Sequence, residues 1–205
     1  RQVQQIVLTR LDRLEEEERF TLKVASVIGR LFEFRHLHQA HPLEDNPVQI
    51  RQHVDKLEAR GFTQLEVPFS NLSDLFKHNI TRDVAYETLL ETQQQELHES
   101  VGEAIEHYTP EAVEQLAYHY VRARHHEKAT HYLNEAAQKA QREYANETAL
   151  AFYAQALEME ERWEWRKGQI EVLHLLGRRE EEEAALMELE ARGDAPPFEV
   201  AYLWG

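Results

Sequence analysis

Histidines form two groups along the chain, and their spacing comes closest to that of metal ligands. The groups are His36, His38 and His41, and His119, His125, His126 and His131. Two histidines two positions apart on a helix point to different sides, so His36 and His38 make a poor ligand pair. His126 and His131 lie on either side of a predicted turn, and the chain has no cysteine to complete a zinc site. We therefore predict surface histidines and no metal.

Carboxylates are plentiful, but they are concentrated in runs such as Glu15–Glu18 and Glu180–Glu183. Such runs usually form the solvated face of a helix. The sequence contains no G-x-S-x-G motif, no H-E-x-x-H motif and no glycine-rich phosphate loop. Because no nucleophile, base and orienting group are brought together by these patterns, we predict no catalytic residue and no enzymatic activity for this chain.

Basic side chains on one predicted helix, residues 48–60, are the candidates for contacting nucleic acid. They are Arg51, His53, Lys56 and Arg60. On a recognition helix they could reach phosphates or base edges. Asp55 and Glu58 on the same helix would repel the DNA backbone. A DNA-binding transcription regulator is therefore the alternative interpretation, and nucleic acid is not the expected partner.

The charge balance is acidic throughout, with a formal net charge of −15. Residues 1–100 carry 12 Lys and Arg against 17 Asp and Glu, and residues 101–205 carry 11 against 21. Neither half offers the positive field on which nucleic-acid affinity depends. No apolar run approaches the ~20 residues that cross a bilayer, and a chain without cysteine is compatible with a reducing compartment. We expect a cytoplasmic protein without a membrane partner.

Helical periodicity dominates the first half of the chain. Apolar residues recur at three- and four-residue spacing in segments 3–14, 15–28, 31–40, 47–60 and 81–106. Gly29 and Gly61 are natural helix ends, while Asn46 and Pro47 suit the cap and first residue of the fourth helix.

The period changes after Gly61. The segment from Phe62 to Phe69, with Pro68 inside it and Asn71 beyond it, is too short and irregular for a helix and favours a small hairpin. Helices closed by a small hairpin are typical of a winged helix, a relative of the helix-turn-helix. We therefore predict a winged-helix-like module, including the long helix that follows it, over residues 1–106.

Small residues at fixed offsets mark the second half. Ala129, Leu133 and Ala136 are spaced four and three apart, as are Ala149, Tyr153 and Ala156. Further helices are predicted at 163–176, 180–191 and from Pro197 onward. The 36 residues from Ala149 to Ala185 are close to the ~34 of a tetratricopeptide repeat. We predict an all-α chain whose residues 107–205 form a tetratricopeptide-like solenoid; an ordinary helical bundle is the alternative.

One bacterial family shares longer stretches of the sequence. The most specific is FKHNITRDVAYETLL at residues 76–90, followed by ELH at 96–98, EQLAYHY at 114–120 and EKA at 127–129. The opening segment adds LDRL at 11–14 and ASVIGRLF at 25–32. These stretches resemble the large signal-transduction ATPases of the STAND type, in which an ATPase core precedes a winged-helix module and tetratricopeptide-like repeats. Members are often fused to nucleotide cyclase or transcription-regulator domains.

The resemblance implies a regulatory role and a specific residue for it. In related signalling ATPases a histidine of the winged-helix module contacts the phosphates of bound ATP or ADP, and His78 is the matching position. The chain begins with Arg1 and has no phosphate-binding loop of its own. We therefore interpret it as a piece of a longer protein, with the nucleotide held by an ATPase core outside this sequence. The partners would be that core, an output domain or an effector protein.

Aromatic residues in the second half are the candidates for binding a partner. They are Tyr118, Tyr120, Tyr132, Tyr153, Trp163 and Trp165. Aromatic side chains dominate both helix packing and interface hot spots. We expect most of the six to lie in the core and a minority to be exposed on a concave face.

Overall fold

The computed structural model describes residues 2–43, 45–67 and 73–204. Helices account for 75% of the structure, and its described part contains twelve of them beside three short strands. The elements are α1 (Gln2–Leu11), α2 (Glu16–Ile28), β1 (Leu31–Glu33), α3 (Phe34–Ala40), α4 (Pro47–Ala59), β2 (Thr63–Val67), β3 (Ser73–Phe76), α5 (Asn79–Glu87), α6 (Glu91–Tyr108), α7 (Val113–Ala123), α8 (His126–Arg142), α9 (Asn146–Met159), α10 (Trp163–Leu176), α11 (Arg179–Arg192) and α12 (Pro197–Trp204). The prediction that helices dominate the chain is confirmed. Among the described residues, no helix is both long enough and apolar enough to cross a membrane.

The chain forms two compact units. The first contains the described residues up to Ala112 together with Arg122–Arg124, and the second contains Val113–Val121 and the described residues from His125 onward.

The core of the first unit surrounds α2, which is buried on several sides, as its apolar sequence predicts. Leu22 of α2 and Ile50 of α4 are inaccessible to solvent. Helix α2 also contacts α3, α5 and α6. Helix α4 begins as predicted: the Asn46 side chain accepts a hydrogen bond from the Val48 N–H, and Pro47 is its first residue.

The first unit also contains a three-stranded antiparallel sheet with the strand order β1-β3-β2. Leu31 pairs with Leu75, and Thr63 pairs with Phe76. Strand β1 occupies the first three residues of the segment that we predict as a helix over 31–40, so that prediction is wrong at its start. The strand forms because a partner 40 to 44 residues further along the chain supplies its hydrogen bonds, which local periodicity does not reveal. Pro68, Phe69 and Asn71 of the predicted hairpin lie outside the described residues.

The long helix predicted over 81–106 is interrupted. Helix α5 ends at Glu87, and α6 begins at Glu91. At the break, the Leu90 N–H donates to the Gln93 side chain over 3.1 Å, which caps α6. The Thr88 hydroxyl donates to the Ala85 carbonyl over 2.7 Å. No glycine or proline lies at this break, so the apolar periodicity of the sequence continues across it.

Consecutive helices from α8 onward contact one another, and the alanines with repeated spacing are buried. Helix α8 contacts α9, α9 contacts α10 and α10 contacts α11, and α10 also contacts α8 and α12. The residues that share the alanine spacing are at most 6% exposed: Ala129, Ala136, Ala149, Ala156 and Ala185. Short side chains at these positions let the helix axes approach closely.

Candidate functional sites

His78 is exposed at the surface of the first unit, immediately after β3. It is the N-cap residue of α5 with an extended backbone (φ −136°, ψ 131°), and its side chain makes no capping hydrogen bond to the helix. Its carbonyl accepts from the Thr81 N–H over 3.0 Å. The backbone therefore starts the helix, and the imidazole remains accessible to a group outside the unit.

The basic residues of α4 make contacts within the first unit. Arg51 donates to Asp74 of β3 over 2.8 Å and to Asp55 over 2.7 Å. The Asp74 side chain is fully buried. Burial raises the pKa of Asp74, although the hydrogen bonds and charge of Arg51 act in the opposite direction. Arg51 therefore compensates a buried carboxylate and has little freedom to bind a phosphate.

Glu18 of α2 lies within ion-pair distance of the C-terminal end of α4. The prediction that the run Glu15–Glu18 is solvated is wrong at this residue. The residue is only 1% exposed. Lys56 Nζ lies 3.2 Å from one carboxylate oxygen, and an Arg60 nitrogen lies 3.5 Å from the other. These are ion-pair distances, although neither contact has good hydrogen-bond geometry. Together with the bond between His53 and the Thr21 hydroxyl, these contacts engage every candidate DNA-contacting side chain of α4.

We expect no DNA binding from this arrangement. Because the cations of α4 are matched by carboxylates, and the chain carries a net charge of −15, phosphate contacts would have to break ion pairs within the unit. In a low-salt gel-shift assay with duplex DNA, micromolar protein should give no shifted band. A shifted band that is lost in Lys56→Gln, at a lysine whose side chain is 57% exposed, would contradict this prediction.

Three of the histidines predicted at the surface are buried. They are His36, His41 and His119. Each is held among polar or aromatic groups: His36 Nε2 is 3.3 Å from the Thr109 hydroxyl, His41 Nε2 is 3.3 Å from the Thr21 hydroxyl, and His119 packs on Tyr118. Burial is also the main cause of the lowered pKa of His36. No group of three or more potential ligands is placed to hold a metal ion within the described part of the chain.

His98, for which the sequence predicts no role, is a further buried histidine. Its Nε2 lies 3.0 Å from the Tyr86 hydroxyl, and the residue is 1% exposed. Burial lowers its pKa to about 3, and the positive charge of Arg122 acts in the same direction. The folded state therefore keeps this imidazole neutral.

We expect this neutral imidazole to make the first unit sensitive to acid. The unfolded chain takes up a proton at His98 near the ordinary pKa of about 6.5, while the folded state does not until about pH 3. Stability from this residue is therefore complete above pH 6.5 and is lost as the pH falls towards 3. Between pH 7 and pH 5 the loss is about 2 kcal/mol.

Urea unfolding followed by circular dichroism at both pH values measures this loss. His98→Gln keeps a polar group near Tyr86 and should reduce the difference in unfolding free energy. His131→Gln, at an exposed histidine, should leave it as in the wild type. An unchanged difference in His98→Gln would exclude His98 as its source.

Three of the six aromatic candidates for partner binding lie in the core of the second unit. Tyr120, Tyr153 and Trp165 are at most 6% exposed. Tyr153 and Trp165 pack in one apolar cluster with the alanines of α8 and α9. Because these three side chains are buried, they cannot contribute to a docking site.

The other three candidates are more accessible. Tyr118 on α7 is 43% exposed. Tyr132 and Trp163 are half-buried: Tyr132 stacks on Tyr120 with ring centres 5.6 Å apart, and Trp163 packs against the cluster between α10 and α11. Tyr118 therefore has the most surface available for a partner among the six.

A groove in the second unit is lined by residues that the sequence interpretation missed. Its volume is about 630 Å³, and its lining includes Leu175, Tyr202 and Leu203. Leu175 is 62% exposed and Tyr202 is 75% exposed. Helical spacing alone could not reveal this groove, because it depends on how α8, α10, α11 and α12 are arranged.

Comparisons with protein-family models, with curated proteins and with solved structures found no match.

Proposed function

We propose that the chain is a regulatory, protein-interaction segment of a larger STAND-type signalling ATPase. In this proposal the first unit responds to the nucleotide state of an ATPase core, and the second binds an effector protein or an output domain. The observation that carries the proposal is the exposed His78 imidazole, which lies within the most family-like stretch, residues 76–90. The setting would be the cytoplasm, where a chain without cysteine needs no oxidising environment.

The order of elements in the first unit supports a winged-helix assignment. Helix α2 is followed by strand β1, helices α3 and α4, and the antiparallel pair β2 and β3, with β3 central in the sheet. In such a module α4 would occupy the position of a recognition helix. Its ion pairs with Asp74 and Glu18 favour an internal packing role for that helix over DNA recognition.

His78 is chemically suited to contact a phosphate. An imidazole donates a hydrogen bond to a phosphate oxygen in its neutral form and adds a positive charge when protonated. Lys77 beside it is also exposed. A nucleotide that makes this contact in one arrangement of the protein, and lacks it in another, would shift the population between the two.

The packing of the second unit supports a tetratricopeptide-like assignment. Contacts between successive helices, with α10 also touching α8 and α12, are typical of a stacked array in which each unit contacts its neighbours. Of the alanines with 4 and 3 spacing, Ala149 and Ala156 lie in the apolar cluster formed by residues of α7 to α10. Arrays of this kind present extended surfaces for peptides and protein domains.

Nucleotide retention tests the proposal. The native-length polypeptide should be purified without added nucleotide, and its bound ATP and ADP released and quantified by chromatography. We expect nucleotide to copurify with the wild type, and His78→Ala to lose most of it on gel filtration. His131→Ala, at an exposed histidine of the second unit, is the matched control and should retain it. A wild type without nucleotide, or His78→Ala with undiminished nucleotide, would reject the proposed role.

A further inference from the structure

The groove of the second unit is lined by both apolar and polar side chains, and two of the apolar ones are exposed. Side chains of α8, α10, α11 and α12 line it, and the apolar ones are Ile170, Leu175, Tyr202 and Leu203. Leu175 and Tyr202 are each more than 60% exposed. Exposed apolar side chains beside a groove offer surface that a partner can bury.

Carboxylates border this apolar surface. Glu171 and Glu182 line the groove, and Glu182 belongs to the run Glu180–Glu183 in the first turns of α11. Arg179 also lines the groove, and His174 Nδ1 lies 2.8 Å from a Glu182 oxygen. Lys167 Nζ lies 4.0 Å from a Glu171 oxygen. Residues 125–205 as a whole carry 17 Asp and Glu against 9 Lys and Arg. This acidic excess of the second unit favours a positively charged ligand.

We propose that this groove binds a basic amphipathic helix of a partner protein. Apolar residues of the helix would contact Leu175, Tyr202 and Leu203. Its Lys or Arg residues would pair with Glu171, whose side chain is 39% exposed, and would replace His174 as the partner of Glu182. A second copy of this chain is disfavoured as the occupant, because each copy carries a net charge of −15 and the two would repel one another. The inference rests on the proposed protein-interaction function and specifies the chemistry of the partner.

A designed peptide tests the groove directly. The probe is a fluorescein-labelled helix of about 14 residues, roughly 21 Å long, made of leucine and lysine at amphipathic spacing. Its counterpart replaces every lysine with glutamate. Fluorescence anisotropy with the whole 205-residue chain should show binding of the lysine peptide and none of the glutamate peptide.

Matched variants separate groove binding from attraction to an acidic protein. Glu171→Gln with Glu182→Gln should weaken binding of the lysine peptide about tenfold, which corresponds to about 1.4 kcal/mol. Glu127→Gln with Glu135→Gln removes the same charge from α8, outside the groove lining, and should have little effect. Likewise Leu175→Ser should weaken binding, and Met187→Ser, at a 57% exposed residue of α11, should not.

Three results would overturn the groove proposal. Equal weakening by the two glutamine pairs would show that the peptide responds to net charge alone. Binding of the glutamate peptide would show that the carboxylates do not select the ligand. A concentration-dependent dimer that Leu175→Ser abolishes, seen by light scattering, would show that the groove binds a second copy. Because nucleotide retention depends on His78 and not on the groove, none of these results would by itself reject the proposed function.

Discussion

Arg51→Met is expected to destabilise the first unit by about 3 kcal/mol, because it leaves the fully buried carboxylate of Asp74 without its cation. The two oxygens of Asp74 are 2.8 and 3.4 Å from the guanidinium nitrogens of Arg51. Burial already raises the pKa of Asp74 with Arg51 present. Without Arg51 that pKa should rise further, so the penalty should shrink as the pH falls and Asp74 takes up a proton.

Asp55 provides the control, since it pairs with the same Arg51 but its side chain is 61% exposed. Asp55→Asn should change the unfolding free energy by less than about 1 kcal/mol, as exposed ion pairs do. Replacing both partners, Arg51→Met with Asp74→Leu, should recover most of the lost stability. Urea unfolding followed by circular dichroism measures all three variants. If Arg51→Met costs no more than Asp55→Asn, the buried pair is not what fixes α4 to the sheet.

Gly168→Ala is expected to destabilise the second unit by about 2 kcal/mol, through overpacking between α9 and α10. A Cβ at position 168 would lie 2.4 Å from Cζ and 2.6 Å from the hydroxyl oxygen of Tyr153. The Tyr153 ring is 3% exposed, and its hydroxyl donates to Gln141 over 3.3 Å. The ring therefore cannot give way without leaving the core or losing this bond.

The sign of this effect is the informative quantity. In an unobstructed helix interior, exchange of glycine for alanine stabilises by about 1 kcal/mol. In a Tyr153→Leu background, Gly168→Ala should therefore become neutral or stabilising. Tryptophan fluorescence follows this unit, because Trp165 is buried beside the contact. The same loss of stability in both backgrounds would show that close approach of α9 and α10 at Gly168 is not the cause.

The sequence predicted those parts of the fold that depend on local pattern. The cap at Asn46, the burial of α2 and the starts of α10 and α12 follow from side-chain periodicity and capping chemistry over a few residues. The alanines with 4 and 3 spacing were predicted to be contact positions, and they are buried.

Features that depend on distant partners could not be predicted in this way. Strand β1 forms because β3 pairs with it, and Glu18 of α2 is buried with its carboxylate near Lys56 of α4. The apolar wall of the groove is provided by Leu175 and Tyr202, which come from different helices. None of these contacts between distant residues is marked by the local sequence. The run Glu15–Glu18 and the predicted helix over 31–40 were therefore interpreted from neighbouring residues in the sequence alone.

Hydrogen exchange of the native-length protein, in its ADP-bound state and with a non-hydrolysable ATP analogue, tests the central claim most directly. If His78 senses the nucleotide, amide protection in peptides that cover residues 77–82 should differ between the two states. Peptides from α4, whose ion pairs lie within the first unit, should be unchanged. Identical protection at residues 77–82 in both states would contradict a nucleotide-sensing role for this segment.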